Sequence, residues 1–342
     1  MPRILIISPC RDEQDHIRAC IDSVAAQTVR PTLWIIVDDG STDRTPEILA
    51  DAAREHDFIR VVRRDNRGQR SVGPGVIEAF YAGLDAAADP SDSPATHAPD
   101  SALSTQHSAL PFDFLGKFDA DLELPPTYFQ RCLDEFDRDP CLGNFSGKVY
   151  LRDDDGALTP ERMGDENAIG AAKLYRTTCF NDIAGFVRHV GWDGIDGHMC
   201  RLKGWVARSA DEPDLRIIHR RLMGSSHISV AHGRRRWGLA KWFMGSSLPY
   251  MLAVAAYRTL ERPYILGGLW ILQGYLSAML ARKPRLDTPG FRAHLRRYEW
   301  RSLLRGKSRT ADDYHARIRA ASPRPDSVRN PDARSSASVR AA

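Results

Sequence analysis

The segment WIIVDDGSTDRT (34–45) decides the fold, because an apolar run of strand length ends there abruptly in two acids and a glycine. The same change from apolar to acidic residues occurs in IISPCRDEQDHI (6–17) and in GKFDADLELPP (116–126). Runs rich in β-branched and aromatic residues, bounded by turn residues, are typical of strands. Each run is therefore predicted to be a strand that ends where its acids begin.

Amphipathic helices separate these strands. Apolar residues recur at i, i+3, i+4 and i+7, the period of an α-helix, over 17–24, 77–84 and 129–136. The strand-length runs lie at 3–8, 32–37, 58–63 and 112–118. Alternation of helices with nearly continuous apolar strands predicts an α/β fold with a mostly parallel sheet flanked by helices.

The composition is that of a globular protein with an uneven charge. The chain has 342 residues, of which 42% are hydrophobic and 27% charged, which is ordinary for a soluble domain with a sizeable core. From Arg282 to Ala342 there are 16 Lys and Arg against 6 Asp and Glu. This surplus favours an anionic membrane surface as a partner. Nucleic acid is not expected, because few aromatic residues interleave the basic ones.

The cysteines and the N-terminus both indicate a reducing compartment. The six cysteines form no C-x-x-C pair, and we interpret them as reduced core residues. MPRILIISPC (1–10) lacks the long apolar stretch of a signal peptide. A cytoplasmic location is therefore expected.

Three parts are predicted along the chain. Residues 1–235 form the catalytic domain, interrupted by a flexible Ser- and Pro-rich insert at 88–111. Residues 236–305 form a helical, membrane-associated extension, and 306–342 a basic, disordered tail. The apolar run 263–280 contains three glycines and a glutamine. It is a helix buried in the protein, a segment lying in the membrane plane, or a short span.

The acids at the strand ends predict a cation site. Parallel strands that end at one edge of a sheet bring their following residues to a common crevice. Clustered carboxylates repel each other unless a cation or hydrogen-bond donors lie between them. The hard oxygens of Asp119 and Asp121 favour Mg²⁺ or Mn²⁺ bridging to a diphosphate. Taken singly, each acidic motif is also compatible with solvated turn residues or helix caps.

In combination, the segments resemble the family 2 inverting glycosyltransferases with the GT-A fold. RDNRGQRSVGPGVIEAFYAGL (64–84) completes the set, which follows the family's order over roughly residues 3–240. The resemblance implies a metal-dependent enzyme that moves a sugar from a UDP- or GDP-type donor to a glycan or lipid-linked acceptor. It also implies surface polysaccharide or glycolipid synthesis at the cytoplasmic face of the inner membrane. The alternative is a non-catalytic nucleotide-sugar-binding or scaffold subunit of a polysaccharide assembly.

The resemblance assigns roles to residues of the donor site. Asp121 would bind the divalent cation, Asp119 the ribose or the cation, and Asp38 or Asp39 the base or ribose. His219, at the end of LRIIH (215–219), would complete the metal shell, although a histidine at a strand end is also compatible with a structural role. The nucleotide pocket would be lined by Pro9, Arg11, Glu13 and, unless it is a solvated loop residue, Arg70.

On the acceptor side the match to the family is incomplete. The resemblance implies a general base in a Glu-Asp pair about eleven residues before a Gly-aromatic turn. GWDGIDGHMCRLKGW (191–205) has Trp192 and Asp193 at that place, with Asp196 one turn later as the alternative base. HGRRRWG (232–238) resembles an acceptor motif that would use Arg235, Arg236 and Trp237, but the expected glutamine is Gly233. These three residues are equally compatible with a basic patch beside a membrane.

Overall fold

The computed structural model describes residues 1–68, 73–88, 110–152, 155–161, 164–220, 229–260 and 263–321. The strands are β1 (Ile4–Cys10), β2 (Leu33–Asp38), β3 (Ile59–Arg63), β4 (Phe114–Phe118), β5 (Leu122–Glu123), β6 (Leu142–Ser146), β7 (Lys148–Arg152), β8 (Leu158–Pro160), β9 (Ala172–Arg176), β10 (Val206–Ser209) and β11 (Arg216–His219). The helices are α1 (Ile17–Ala25), α2 (Thr45–Glu55), α3 (Pro74–Ala88), α4 (Tyr128–Arg138), α5 (Thr177–Asp182), α6 (Trp192–Leu202), α7 (Val230–Met244), α8 (Leu248–Arg258), α9 (Leu266–Leu280), α10 (Phe291–Arg305) and α11 (Lys307–Ala321).

A seven-stranded sheet in the order β10-β6-β9-β4-β1-β2-β3 organises the fold. β1 runs parallel to β2 and to β4, β2 parallel to β3, and β6 parallel to β10. β9 is antiparallel to both of its neighbours, β4 and β6. The predicted mostly parallel α/β sheet flanked by helices is confirmed. Because β1 lies between β2 and β4, the three acid-bearing strand ends lie side by side.

The central strands of the large sheet, such as β1, β4 and β9, are buried on both faces. In β1, Ile4 and Ile6 belong to one apolar cluster with α1, α2 and α4, while Leu5 and Ile7 belong to another with α3, α5, α6 and α10. Burial on both sides explains why the strands read as continuous apolar runs. All six cysteines are buried and in the thiol form, in agreement with their interpretation as reduced core residues.

A smaller four-stranded sheet, in the order β5-β11-β7-β8, adjoins the end of β4. β11 pairs in parallel with β7 and antiparallel with β5, so that His219 lies opposite Leu122. This pairing places the end of β11 beside the residues that follow β4. The small sheet therefore positions His219 next to the Asp119–Asp121 segment.

The C-terminal helices α7, α8 and α9 pack around a third apolar cluster that includes Trp242, Met251 and Tyr275. α7 and α9 cross closely, since a Cβ on Gly238 would lie 2.0 Å from the carbonyl oxygen of Ile271. The predicted domain boundary at residue 235 falls inside α7. None of the helices in the described ranges combines the length and apolarity that crossing a bilayer requires.

Residues 307–321 differ from the disordered tail that we expected after 306. They form α11, which buries Thr310, Ala311, His315 and Ile318. Ala311, His315 and Ile318 recur at i, i+4 and i+7, a helical stripe that the high arginine content of the segment obscures. The rest of that tail, 322–342, and most of the insert, 89–109, lie outside the described residues.

Candidate active site

Asp119, Asp121 and His219 come together where β4 ends. One ligand atom from each side chain lies within 4.8 Å of those of the other two. Asp121 and His219 are buried, Asp119 is half-buried, and His219 Nε2 lies 3.2 Å from Asp121 Oδ2. Among the described residues, these are the Asp, Glu, His or Cys side chains whose ligand atoms lie close enough together to hold one cation. Two carboxylates and an imidazole suit a divalent cation such as Mn²⁺.

The electrostatics of His219 are those of a cation-binding environment. Burial alone would lower the pKa of His219, but its hydrogen bond to Asp121 and the charges of Asp119 and Glu161 raise the pKa above its usual value. Glu161 Oε1 lies 4.0 Å from Nδ1 of the same ring. The carboxylates of this corner thus favour positive charge at the position of His219.

Lys117, in β4, supplies the remaining positive charge beside this corner. Its buried ammonium forms an ion pair with Asp119 and donates to the carbonyl oxygen of Gly170 at 3.1 Å. Lys173, the residue directly opposite on β9, is also fully buried. Both ammonium groups lie 5.3 Å from the ring centroid of Trp192. Like charges opposite each other are destabilising in a sheet unless each has a partner.

The partner of Lys173 is Asp196. Asp196 lies in the core, where its carboxylate accepts hydrogen bonds from the Lys173 ammonium and the Tyr175 hydroxyl. Burial raises the pKa of Asp196, although Lys173 and Tyr175 oppose this effect. Lys173 also donates to the backbone oxygen of Asp193 at 2.7 Å. Asp196 therefore anchors α6 to the sheet.

Asp193, in contrast, is exposed in the first turn of α6. Its Oδ2 atom lies 3.2 Å from the position that a Cβ would take on Gly170. Gly170 accepts the hydrogen bond from Lys117, which is paired with Asp119. Of the two predicted base candidates, Asp193 is thus the one that is open to solvent and close to the acidic corner.

Asp38 and Asp39 follow β2 and have different partners. Asp39 binds Arg64 at 2.8 Å and Arg67 at 2.6 Å through its two carboxylate oxygens. Asp38 is completely buried, and its Oδ1 accepts from the backbone N–H of Ser41 at 2.8 Å. Its Oδ2 atom has no hydrogen-bond partner among the described residues. This oxygen lies 3.7 Å from Arg63 Nε, an ion-pair distance that leaves its hydrogen-bonding capacity unused at the end of β2.

Arg11 and Glu13, which follow β1, lie beside the loop after β2. Arg11 donates to the backbone oxygen of Asp39 at 3.2 Å and to Asn66 Oδ1 at 2.9 Å. Glu13 is buried, and its backbone N–H donates to Thr45 Oγ1 at 2.8 Å. Pro9, half-buried, pairs with Val37 in the β1–β2 register. The predicted nucleotide-pocket residues therefore share one edge of the sheet.

Asp12 and Asp43, two other acids of the predicted clusters, connect the loops after β1 and β2 by hydrogen bonds. Asp12 Oδ1 accepts from the backbone N–H of Thr42 at 2.8 Å. Asp43 accepts from the backbone N–H groups of Gln14 and Thr45, each at 3.0 Å. Gly40 permits the tight turn between them, because its φ is +75° and a Cβ there would lie 2.4 Å from Asn66 Cα. These acids organise the loops after β1 and β2.

The residues of the basic motif in α7 contact two different parts of the protein. Arg235 donates to Gln273 of α9 at 2.7 Å, and Trp237 lies under the guanidinium of Arg258 at 5.1 Å. Arg236 turns the other way, with Nη2 3.5 Å from the position that a Cβ would take on Gly73. Arg236 therefore faces the loop before α3, whereas Arg235 and Trp237 contact α9 and α8.

The buried lysines are the site residues that our sequence reasoning missed. Both stand inside apolar strand runs, in FLGKF (114–118) and AAKLYR (171–176). A charged side chain in such a run must have a partner when the strand is buried. The position of each lysine inside an apolar run was therefore the signal that could have predicted a buried ion pair. Arg70 lies outside the described residues.

A known protein family matches the segment of the chain that contains β1, β2 and β3. Residues 5–73 match the model of the family Glycosyl transferase family 2. The N-terminal part of the chain is therefore similar to this family.

Known relatives match parts of the chain. It is 38% identical over 87 residues to a protein of Bacillus subtilis strain 168 named Uncharacterized glycosyltransferase EpsJ, covering 25% of each chain. It is 27% identical over 145 residues to the chondroitin synthase of Escherichia coli, covering 42% of this chain and 16% of the synthase. The chain thus spans about a quarter or less of the curated relatives that it matches.

Solved structures resemble the chain at low sequence identity. The mannosyltransferase PcManGT of Pyrobaculum calidifontis, in complex with GDP-Man and Mn²⁺, aligns with a TM-score of 0.48 and 18% identity over 94% of this chain and 86% of its own. TarS 1–349 of S. aureus in complex with UDP-GlcNAc aligns with a TM-score of 0.47 and 15% identity over 92% and 90%.

Proposed function

We propose that this protein is a metal-dependent, inverting glycosyltransferase that moves a sugar from a nucleotide-diphosphate donor to a hydroxyl group of an acceptor. One observation carries the proposal. Lys117 pairs with Asp119 of the cation corner and donates to the carbonyl oxygen of Gly170, and the exposed carboxylate of Asp193 lies beside Gly170. A transfer enzyme needs such a pairing of a donor-holding corner with a nearby base.

On the donor side, Asp121, His219 and Asp119 would hold Mn²⁺ or Mg²⁺. The mixed oxygen and nitrogen set favours Mn²⁺, because Mg²⁺ prefers oxygen ligands alone. The bound cation would neutralise negative charge on the donor diphosphate. Asp38 Oδ2, which accepts no hydrogen bond from the described residues, and the loops that contain Arg11 and Asp39 would receive the base and ribose of a UDP- or GDP-type donor. Pro9 and Glu13 would lie beside them.

On the acceptor side, Asp193 would act as the general base. Its carboxylate would take the proton of the acceptor hydroxyl while that oxygen bonds to the anomeric carbon. The bond from this carbon to the diphosphate oxygen breaks on the opposite face, and its electron pair leaves with the nucleoside diphosphate. Attack opposite the leaving group inverts the anomeric centre. Arg236, facing the loop before α3, would bind diphosphate or acceptor.

The acceptor would be a glycan or a lipid-linked saccharide in surface polysaccharide or glycolipid synthesis. The names of partial relatives support this class, since they include the poly-β-1,6-N-acetyl-D-glucosamine synthase of Staphylococcus aureus and chondroitin synthase. The basic surplus after Arg282 supports work at an anionic membrane, at its cytoplasmic face. Arg235 and Trp237, which contact α8 and α9, would belong to that membrane side.

Donor turnover tests the proposal. The protein should release nucleoside diphosphate from one of the common UDP- or GDP-sugars when Mn²⁺ is present, and chelation should abolish the release. Asp121→Ala should abolish it too, whereas Asp137→Ala, which changes an exposed acid of α4, should not. Binding of a donor without turnover, with any acceptor offered, would favour the non-catalytic binding module.

A further inference from the structure

Large apolar side chains are exposed around the turn between α8 and α9, although soluble proteins usually bury such side chains. Leu260 is 73% exposed and Ile265 is 62% exposed. Scattered exposed apolar residues are ordinary, but a contiguous group marks a contact site. We call this group the α8–α9 foot; it consists of Leu252, Tyr257, Leu260, Tyr264, Ile265, Leu266 and Leu269.

Close packing of α8 against α9 supports the foot. Gly268 lets α9 approach α8, because a Cβ there would lie 2.3 Å from the carbonyl oxygen of Ala255. The backbone N–H of Ile265 donates to the oxygen of Thr259 at 2.9 Å and closes the turn. Farther along α9, the exposed side carries Gln273 and Ser277. Leu280, at the far end of α9, is also 79% exposed, but the larger group of exposed apolar side chains is the α8–α9 foot.

Positive charge surrounds the foot. Residues 230–286 contain nine Lys and Arg and one acid, Glu261. The Arg258 guanidinium lies 6.0 Å from the ring centroid of Tyr257, and Arg234 Nε lies 3.9 Å from the position of a Cβ on Gly267. Apolar side chains, tyrosines and arginines in this arrangement match the acyl boundary and the anionic headgroups of a bilayer.

We infer that the α8–α9 foot inserts into the interface of an anionic bilayer and holds the protein on that surface. The inference rests on the membrane partner of the proposed function and names the residues that contact it. A second copy of the chain fits the foot less well, because two equally basic surfaces would repel each other. A membrane supplies both the negative charge and the apolar layer.

The foot also connects to the proposed acceptor side through α7. Arg235 and Trp237 of α7 contact α9 and α8. One turn further along the same helix, the Cβ of Ala240 lies 2.8 Å from the position of a Cβ on Gly191, the residue that precedes α6 and Asp193. An acceptor held in the membrane would thus meet the protein from the side of the foot.

Vesicle sedimentation tests the inference. The full-length chain should sediment with vesicles of phosphatidylcholine containing phosphatidylglycerol and much less with phosphatidylcholine alone. The double variant Leu260→Glu and Ile265→Glu should lower the partition by about tenfold or more, because two apolar contacts are replaced by repelled charges. Leu304→Glu, at a residue of α10 that is 81% exposed, is the matched control and should bind as the wild type does.

Three results would overturn the inference. They are a wild-type protein that does not bind anionic vesicles, a double variant that still binds them, and a wild-type dimer that the double variant converts to a monomer without any vesicle binding. Circular dichroism of each variant checks its folding. Donor turnover is measured separately without vesicles, so that failure of the foot and failure of the proposed function give different results.

Discussion

Asp193 and Asp196 lie nearly one turn apart in α6 and have opposite surroundings. Asp196 is buried between Lys173 and Tyr175, whereas Asp193 faces solvent beside Gly170. The sequence favoured Asp193 as the base by its spacing and kept Asp196 as the alternative. The difference depends on β9, the strand that inserts antiparallel between β4 and β6 and brings Lys173 under the helix.

Substitution of the two aspartates should separate stability from turnover. Asp196→Asn leaves the Lys173 ammonium buried without a counter-charge and should lower the free energy of unfolding by about 3 kcal/mol. Asp193→Asn should leave stability unchanged and reduce donor transfer by about a hundredfold or more, if Asp193 is the base. Urea denaturation and transfer kinetics measure the two effects. Equal loss of stability in both variants would contradict this assignment.

At the residue scale, the acids were predictable and the lysines were not. Asp119 and Asp121 stand at a strand end where a cation is their natural partner, so the motif predicts their location. Lys173 needs a partner that only the folded sheet defines, because Asp196 reaches it from α6, whereas the partner of Lys117 is Asp119, two residues further along the chain. Glu161 was missed for the same reason, since β8 must pair with β7 before Glu161 approaches His219.

At the scale of elements, glycines set the distance between the C-terminal helices. Gly238 of α7 meets the backbone of α9 at Ile271, and Gly274 of α9 meets the backbone of α7 at Arg235. Because the apolar run 263–280 contains three glycines, its sequence was compatible with a membrane segment and with a helix buried in the protein. In the structure, Gly268 and Gly274 contact neighbouring helices instead.

Two alanine substitutions within α7 should therefore have opposite effects. Gly238→Ala places a Cβ 2.0 Å from the Ile271 oxygen and should destabilise the protein by about 1–3 kcal/mol. Gly233→Ala meets nothing within 4 Å and should stabilise it by about 0.5–1 kcal/mol, because alanine is the better helix former. Thermal unfolding of both variants gives the comparison, and a neutral Gly238→Ala would contradict the close crossing.

The helices α10 and α11 hold α6 through a group of buried histidines. His198 of α6 packs edge-on against Tyr298 of α10 at 4.9 Å, and His294 of α10 against Tyr314 of α11 at 5.4 Å. Burial and nearby cations lower the pKa of His294 to about 4 and that of His315 to about 3. The charged groups that act on the three histidines are Arg201, Arg208, Lys241, Arg297, Lys307, Arg319 and Asp139.

Stability should consequently fall as the pH is lowered from about 6.5 toward 4. The unfolded chain takes up protons on these histidines near their ordinary pKa of 6.5, while the folded chain resists them. Each histidine should thus cost about 1 kcal/mol or more of stability across this window. His315→Gln should reduce the acid sensitivity, and His232→Gln, an exposed histidine of α7, should not. Urea midpoints at pH 7 and pH 4.5 measure the difference.

Strand prediction succeeded where apolar runs were continuous and failed where strands changed partners. The segment NFSGKVYL (144–151) contains parts of two strands, because Gly147 separates β6 in the large sheet from β7 in the small one. A Cβ on Gly147 would lie 1.7 Å from the Leu215 oxygen, so this glycine is required by the approach of the segment before β11. Such a change of sheet depends on contacts distant in sequence and leaves no periodic pattern.

At the scale of the whole molecule, the C-terminal helices are part of the core. Phe291 and Leu295 of α10 belong to the same apolar cluster as Leu5 of β1, and Ile318 of α11 belongs to the cluster on the other face. Deletion of the C-terminal third would therefore expose both faces of the sheet. Membrane binding is better tested by surface substitutions in the foot than by truncation.

Truncation instead tests how far the fold extends. A chain ending at Gly306 loses α11, whose Ile318 is buried against the sheet and whose Arg319 binds Asp139 at 2.8 Å. Loss of these contacts should lower the free energy of unfolding by about 3 kcal/mol or more, with a matching fall in the midpoint of thermal unfolding. A chain ending at Ala321 keeps every described contact of α11 and is the control. An unchanged midpoint in the shorter chain would contradict a structural role for α11 and restore the disordered tail that its composition predicts.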